Sequence, residues 1–140
     1  VGGTSQFNYT STCYSRIAKN SSWYFDVGTT FSYGPSNVDD RDLIKMTDET
    51  SMLYFNEATL KSTTTGLRLT NGTVIFDGTG ESIISGATIF YDFTCTTPNK
   101  TLKFEAGKTQ TVKGNLHIEG TEGNLIVLRS TTTGQQFTNR

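Results

Sequence analysis

Residues 71–86, NGTVIFDGTGESIISG, and residues 99–114, NKTLKFEAGKTQTVKG, are two versions of one pattern. At an offset of 28, Asn71 falls on Asn99, Val74 on Leu102, Phe76 on Phe104, Asp77 on Glu105, Ile84 on Val112 and Gly86 on Gly114. Alternating apolar positions, an acid after the Phe and a closing Gly read as strand, turn and strand. Self-similarity at this period is the mark of a repeat architecture.

Working outward, MLYFN places Leu53 and Phe55 where Val74 and Phe76 sit, WYFDVG does the same with Trp23 and Phe25, and LIVLR adds Ile126 and Leu128. The predicted anchors are Phe25, Phe55, Phe76, Phe104 and Leu128, spaced by 30, 21, 28 and 24 residues. Uneven spacing with a constant strand pattern suits a solenoid whose loops vary while its walls do not. The expected fold is all-β, a short parallel β-helix of about five coils, roughly 24 Å tall at ~4.8 Å per coil. Asn56, Asn71, Asn99 and Asn124 suit its corners, as does Pro98. An antiparallel β-sandwich is the alternative, because short strands with polar turns also fit it.

Composition supports β structure. Of 140 residues, 34% are hydrophobic, and Thr and Ser make up roughly a quarter. Such a chain forms one domain, and its strands present polar outer faces. A net charge of −1 with interspersed signs gives no reason to expect nucleic acid or an anionic membrane as partner. No apolar run reaches the ~20 residues of a membrane-spanning helix, so no membrane insertion is expected. The sequence begins at Val1, which suggests a removed leader or an excerpt of a longer chain. Four Asn-X-Ser/Thr sequons, at Asn8, Asn20, Asn71 and Asn99, are expected by chance in so Thr-rich a chain.

Residues 1–12 read as an N-terminal arm or a strand in search of a partner, and residues 13–140 as a single solenoid domain. Cys13 and Cys95 are the only cysteines, and an even pair in a secreted chain predicts a disulfide; the alternative is two buried free thiols. Neither has a neighbouring Cys or His at metal-ligand spacing, so no metal and no cofactor is expected.

Residues 33–42, YGPSNVDDRD, form the clearest loop. Asp39, Asp40, Asp42, Asp48 and Glu49 invite comparison with a calcium site or the carboxylates of a glycan-cleaving enzyme. The spacing lacks the alternation of a calcium loop, and Arg41 and Lys45 offset the charge, so a solvated acidic loop is expected. Residues 43–61 read as strands, and residues 63–66, TTTG, as a turn before Leu67 and Leu69 point inward. In NLHIE, Leu116 and Ile118 are expected in the core and His117 at the surface. No Ser, His and Asp grouping can be assembled around that His, so no catalytic residue is expected.

Neither end of the sequence shows a helix or a charged cap. A solenoid exposes unpaired backbone at its ends, so these ends are expected to pair, through Phe7 and Tyr9 on one side and Gln135, Gln136 and Phe137 on the other.

TLKFEAGKTQTVKGNLHIEGTEGNLIVLRSTTTGQQF and DLIKMTDETSMLYFNEATLKSTTTGLRLTNG resemble repeat segments of bacterial secreted and surface right-handed β-helix proteins of the adhesin-like kind. The resemblance spans roughly residues 40–138. It implies an extracellular or cell-surface protein of stacked coils, used as a surface fibre, an adhesin or a glycan-active domain. The expected function is a structural subunit or segment of a fibre, partnered by copies of itself head to tail or by neighbouring repeats of a longer chain. A glycan-binding module that uses Tyr24, Tyr33 or Tyr54 to stack on surface glycans is the alternative. A polysaccharide-cleaving enzyme ranks below both, because five coils offer little groove.

Overall fold

A computed structural model describes residues 4–63 and 66–140; Thr64 and Thr65, within the turn expected at 63–66, lie outside the described residues. The described residues contain seventeen strands and no helix. Taken by coil, these are β1 (Ser5–Tyr9), β2 (Ser15–Ile17) and β3 (Ser22–Phe25), then β4 (Thr29–Tyr33), β5 (Ile44–Met46) and β6 (Met52–Asn56). The third and fourth coils are β7 (Thr59–Ser62), β8 (Leu67–Arg68), β9 (Thr73–Asp77), β10 (Glu81–Ser85), β11 (Thr88–Phe90) and β12 (Asp92–Cys95). β13 (Thr101–Phe104), β14 (Thr109–Val112), β15 (Leu116–Ile118), β16 (Val127–Ser130) and β17 (Thr138–Asn139) follow.

Strands pair in parallel with the strand three places on, with one break between β5 and β8, which makes the chain a parallel β-helix with three walls. Wall one runs β1-β4-β7-β10-β13-β16, and wall three runs β3-β6-β9-β12-β15. Wall two is split into β2-β5 and β8-β11-β14-β17. The split follows the loop at 34–43: at that level Arg68 N donates to Arg41 O at 2.7 Å, from the loop rather than from β5. Parallel neighbours require a crossover, and here the crossover is the rest of the coil.

Alternation along each strand sends every second side chain inward, where successive coils stack like on like. Phe25, Phe55 and Phe76 are register partners on wall three. Their rings stack at 5.3 and 5.1 Å, and Phe93 continues the stack at 5.2 Å from Phe76. Phe31, Leu60, Ile84 and Phe104 form the corresponding buried column on wall one. Each such side chain contributes about 1.5–3 kcal/mol by leaving water.

The 28-residue repeat therefore needs correcting. Phe104 does not follow Phe76; it pairs with Ile84 on wall one, and Leu128 pairs with Leu102 there. The next residue above Val74 is Phe93, 19 residues on. The matched stretches are similar because every wall strand alternates and every corner ends in a turn residue, so self-alignment cannot separate adjacent walls from successive coils.

Residues 5–9 are not a free arm. β1 lies in register on β4, from Ser5 opposite Thr29 to Tyr9 opposite Tyr33, and is part of wall one. Corners fall where Asn was expected: Asn99 has a φ of 63°, and its Nδ2 donates to Asn124 Oδ1 at 2.9 Å. The expected disulfide is absent, since Cys13 and Cys95 are both free thiols. Cys13 lies exposed after β1 in the first coil, whereas Cys95 lies buried on wall three of the fourth. Three coils at ~4.8 Å separate them by about 14 Å, beyond the ~7 Å between Cα atoms that a disulfide spans.

Candidate functional site: the two open ends of the stack

The apolar columns run out of neighbours at both ends. At the N-terminal end, Phe7 stacks on Phe31 at 5.7 Å yet remains 47% exposed. Trp23 and Phe25 of β3 are partly buried against the core, and with Phe7 they line an open concavity. At the C-terminal end, Leu116 continues the column above Phe93 but is 53% exposed, and Leu128, above Leu102, is 40% exposed. Leu125, shortly before β16, is exposed, while Phe137 stacks on Phe104 at 4.7 Å. A void of about 10 Å³ lies under this end, bordered by Phe93, Phe104, Leu116 and Ile118.

The backbone is open at the same places. In the ladders of the described residues β1, β2 and β3 are paired on one side only, and so are β15, β16 and β17. Unpaired strand edges beside exposed apolar side chains are templates for another strand.

Of the residues expected to assemble, Phe7 is placed at an end with its ring accessible. Tyr9 is not accessible: it is buried, its ring stacks on Tyr33 at 5.4 Å and its hydroxyl donates to Cys13 O. Gln135 and Gln136 are exposed just before β17, where Gln136 O accepts from Gly107 N at 2.8 Å, and Phe137 is half-buried. Leu116, expected in the core, and Leu128, a predicted anchor, are instead exposed because no described strand covers them, and Trp23, matched to the wall pattern, was not expected at an end. All three carry ordinary core alternation, and nothing in that pattern distinguishes a covered coil from an end coil.

The acidic stretch is dispersed. Asp42 Oδ2 lies 3.2 Å from Lys45 Nζ and 3.3 Å from Arg68 Nη2. Burial works against ionisation of this carboxyl, but the two cations outweigh it and lower its pKa. Asp48 Oδ1 accepts from the hydroxyl and backbone N–H of Thr50, and these bonds hold it below its ordinary value. Among the described residues no three His, Cys, Asp or Glu side chains gather. His117 is at the surface, 2.9 Å from Glu119.

Of the three tyrosines considered for glycan stacking, Tyr33 is fully buried and unavailable. Its hydroxyl donates to Asp40 O and accepts from Leu43 N, tying the acidic loop to the core. Tyr24 and Tyr54 stack on each other at 4.5 Å, each committing one ring face to the other.

Among the described residues one charged group, that of Lys100, is buried. Lys100 is fully buried at the corner between walls three and one, and its Nζ donates to Asp77 O at 2.6 Å. Burial lowers its pKa against the opposing pull of Cys95, Glu57, Asp77 and Glu81. The neighbouring Cys95 thiol is pushed up to about 11 by burial. The Lys100 ammonium satisfies the corner backbone at Asp77 O.

No protein-family model, no curated protein and no solved structure matches this chain.

Proposed function

We propose that this chain is a structural segment of an extracellular or cell-surface fibre, joined to further coils through the open ends of its stack. The observation that carries this reading is the exposure of Phe7 at one end and of Leu116 and Leu128 at the other, each in line with a buried column. Covering them with another coil removes apolar surface from water and pairs edge strands in one step. The extracellular placement rests on the resemblance of residues 40–138 to bacterial surface β-helix repeats. Surface labelling or protease treatment of intact cells tests it separately.

The fibre reading is favoured over a glycan-cleaving enzyme because Asp42 and Asp48 are engaged by neighbours. Glycan binding retains one supporting observation, the Tyr24–Tyr54 pair on the outer side of wall three. Tyr24→Ala on a glycan array tests it.

Charged substitutions at the ends test the fibre reading. Phe7→Asp and Leu116→Asp place a carboxylate on a surface that must dehydrate to pair. In sedimentation velocity the wild-type chain is expected to form large species and each variant to remain monomeric. Assembly that is unaffected by both substitutions would overturn the reading.

A further inference from the structure

Wall three carries on its outer face a pair of tyrosines that the fibre reading does not use. We infer that Tyr24 and Tyr54 form an oxidative modification site, at which a peroxidase-type oxidant supplied with hydrogen peroxide couples the two rings into an intrachain dityrosine that ties β3 to β6.

Strand register sets up the pair. Tyr24 lies opposite Tyr54 on adjacent parallel strands, between Trp23 and Phe25 on one and Leu53 and Phe55 on the other. Those four flanking side chains pack toward the core, so alternation sends both tyrosines outward. Their ring centroids are 4.5 Å apart and the planes differ by 8°, which sets the two ring edges side by side. Tyr24 is 63% exposed and Tyr54 is partly buried. Burial first, and then the adjacent Tyr24 phenol, raise the Tyr54 pKa, in keeping with two phenol heads held together.

A second tyrosine pair supplies the contrast. Tyr9 and Tyr33 also stack, at 5.4 Å and 15°, but both are buried and their hydroxyls donate to Cys13 O and Asp40 O. The Tyr54 hydroxyl donates instead to Met52 Sδ at 3.2 Å, a weak acceptor. An oxidant in solution therefore reaches the outer pair and not the inner one. Tyr14 and Tyr91 are exposed, but among the described residues neither has a ring neighbour to couple with.

The coupling balances without a further reactant. Each phenol gives up one electron and its hydroxyl proton, and the two radicals join through one ortho carbon each. The hydrogen on each of those carbons then moves to the phenol oxygen as the rings regain aromaticity. One carbon–carbon bond forms, two protons and two electrons leave, and one peroxide is reduced to two waters. Strands ~4.8 Å apart keep the two side chains within reach while the outward rings tilt from the stack into the biaryl. The bond closes the stretch between residues 24 and 54, which constrains the unfolded chain as a disulfide does.

Treatment of the 140-residue chain with a haem peroxidase and hydrogen peroxide tests the inference, read as dityrosine fluorescence in the single-chain band of a denaturing gel and by peptide mapping. The expected product is a peptide pair joined at Tyr24 and Tyr54 and two hydrogens lighter than its parts. Tyr24→Phe and Tyr54→Phe, which keep the stacked rings, should each lower single-chain fluorescence at least tenfold, while Tyr14→Phe and Tyr91→Phe leave it unchanged. Fluorescence that survives Tyr24→Phe and Tyr54→Phe would overturn the inference. So would coupling confined to bands of two or more chains, or no dityrosine in the protein while free tyrosine couples under the same conditions. None of these outcomes depends on what covers the ends of the stack.

Discussion

Cys95 illustrates how burial sets the chemistry of a single side chain. Its thiol takes the inward position above Phe76 in the wall-three column, is fully buried, and has its pKa raised to about 11, whereas Cys13 is exposed. Only the thiolate reacts with thiol reagents, so native protein is expected to titrate one thiol per chain and denatured protein two. A native count of zero that rises only on reduction would restore the disulfide. At Asp42 the lowered pKa fixes the sign of a pH effect. The folded state holds the carboxylate against Lys45 and Arg68, so its contribution is complete above the unfolded value near 3.8 and is lost as pH falls through the lower folded value. The partners are partly solvated, which limits the effect to about 0.2–1 kcal/mol. Asp42→Asn should cost that much at neutral pH and flatten the acid limb of a urea-denaturation series, and an unchanged limb would count against the pairing.

At the scale of elements, corners are less tolerant than walls. Gly86 has a φ of 78°, and a Cβ built there would lie 1.9 Å from Ser62 O. The corner is further fixed by Glu105 Oε2, which accepts from Gly86 N, and by Gln110 Nε2, which donates to Gly86 O. Gly107 has a φ of 73° but nothing within 4 Å. Gly86→Ala should therefore cost about 3 kcal/mol or more, and Gly107→Ala about 1 kcal/mol, the backbone penalty alone. Equal losses in denaturant unfolding would contradict the corner geometry. The same corners explain what the sequence could show. Alternation and turn residues marked out strands 43–61, the inward Leu67 and Leu69, and the Asn99 and Pro98 corner. They did not mark which wall a strand belongs to, because Phe76 and Phe104 carry the same local pattern on different walls. Tyr33 was misread for a related reason: beside Gly34 and Pro35 it looked like part of a loop, yet it is the last inward residue of β4.

For the whole molecule, stability and assembly have the same source. Each coil buries its apolar columns against its neighbours, so an end coil keeps the unmet half of every interaction that an inner coil completes. The positions of the exposed columns were not legible in the sequence, since they depend on walls that hold, among the described residues, six, six and five strands in one, two and one ladders. The central claim is that the ends of this stack pair with one another, and electron microscopy of the purified 140-residue chain over a concentration series tests it most directly. Fibres one β-helix wide that lengthen with concentration are predicted. Isolated monomers at every concentration would contradict the claim.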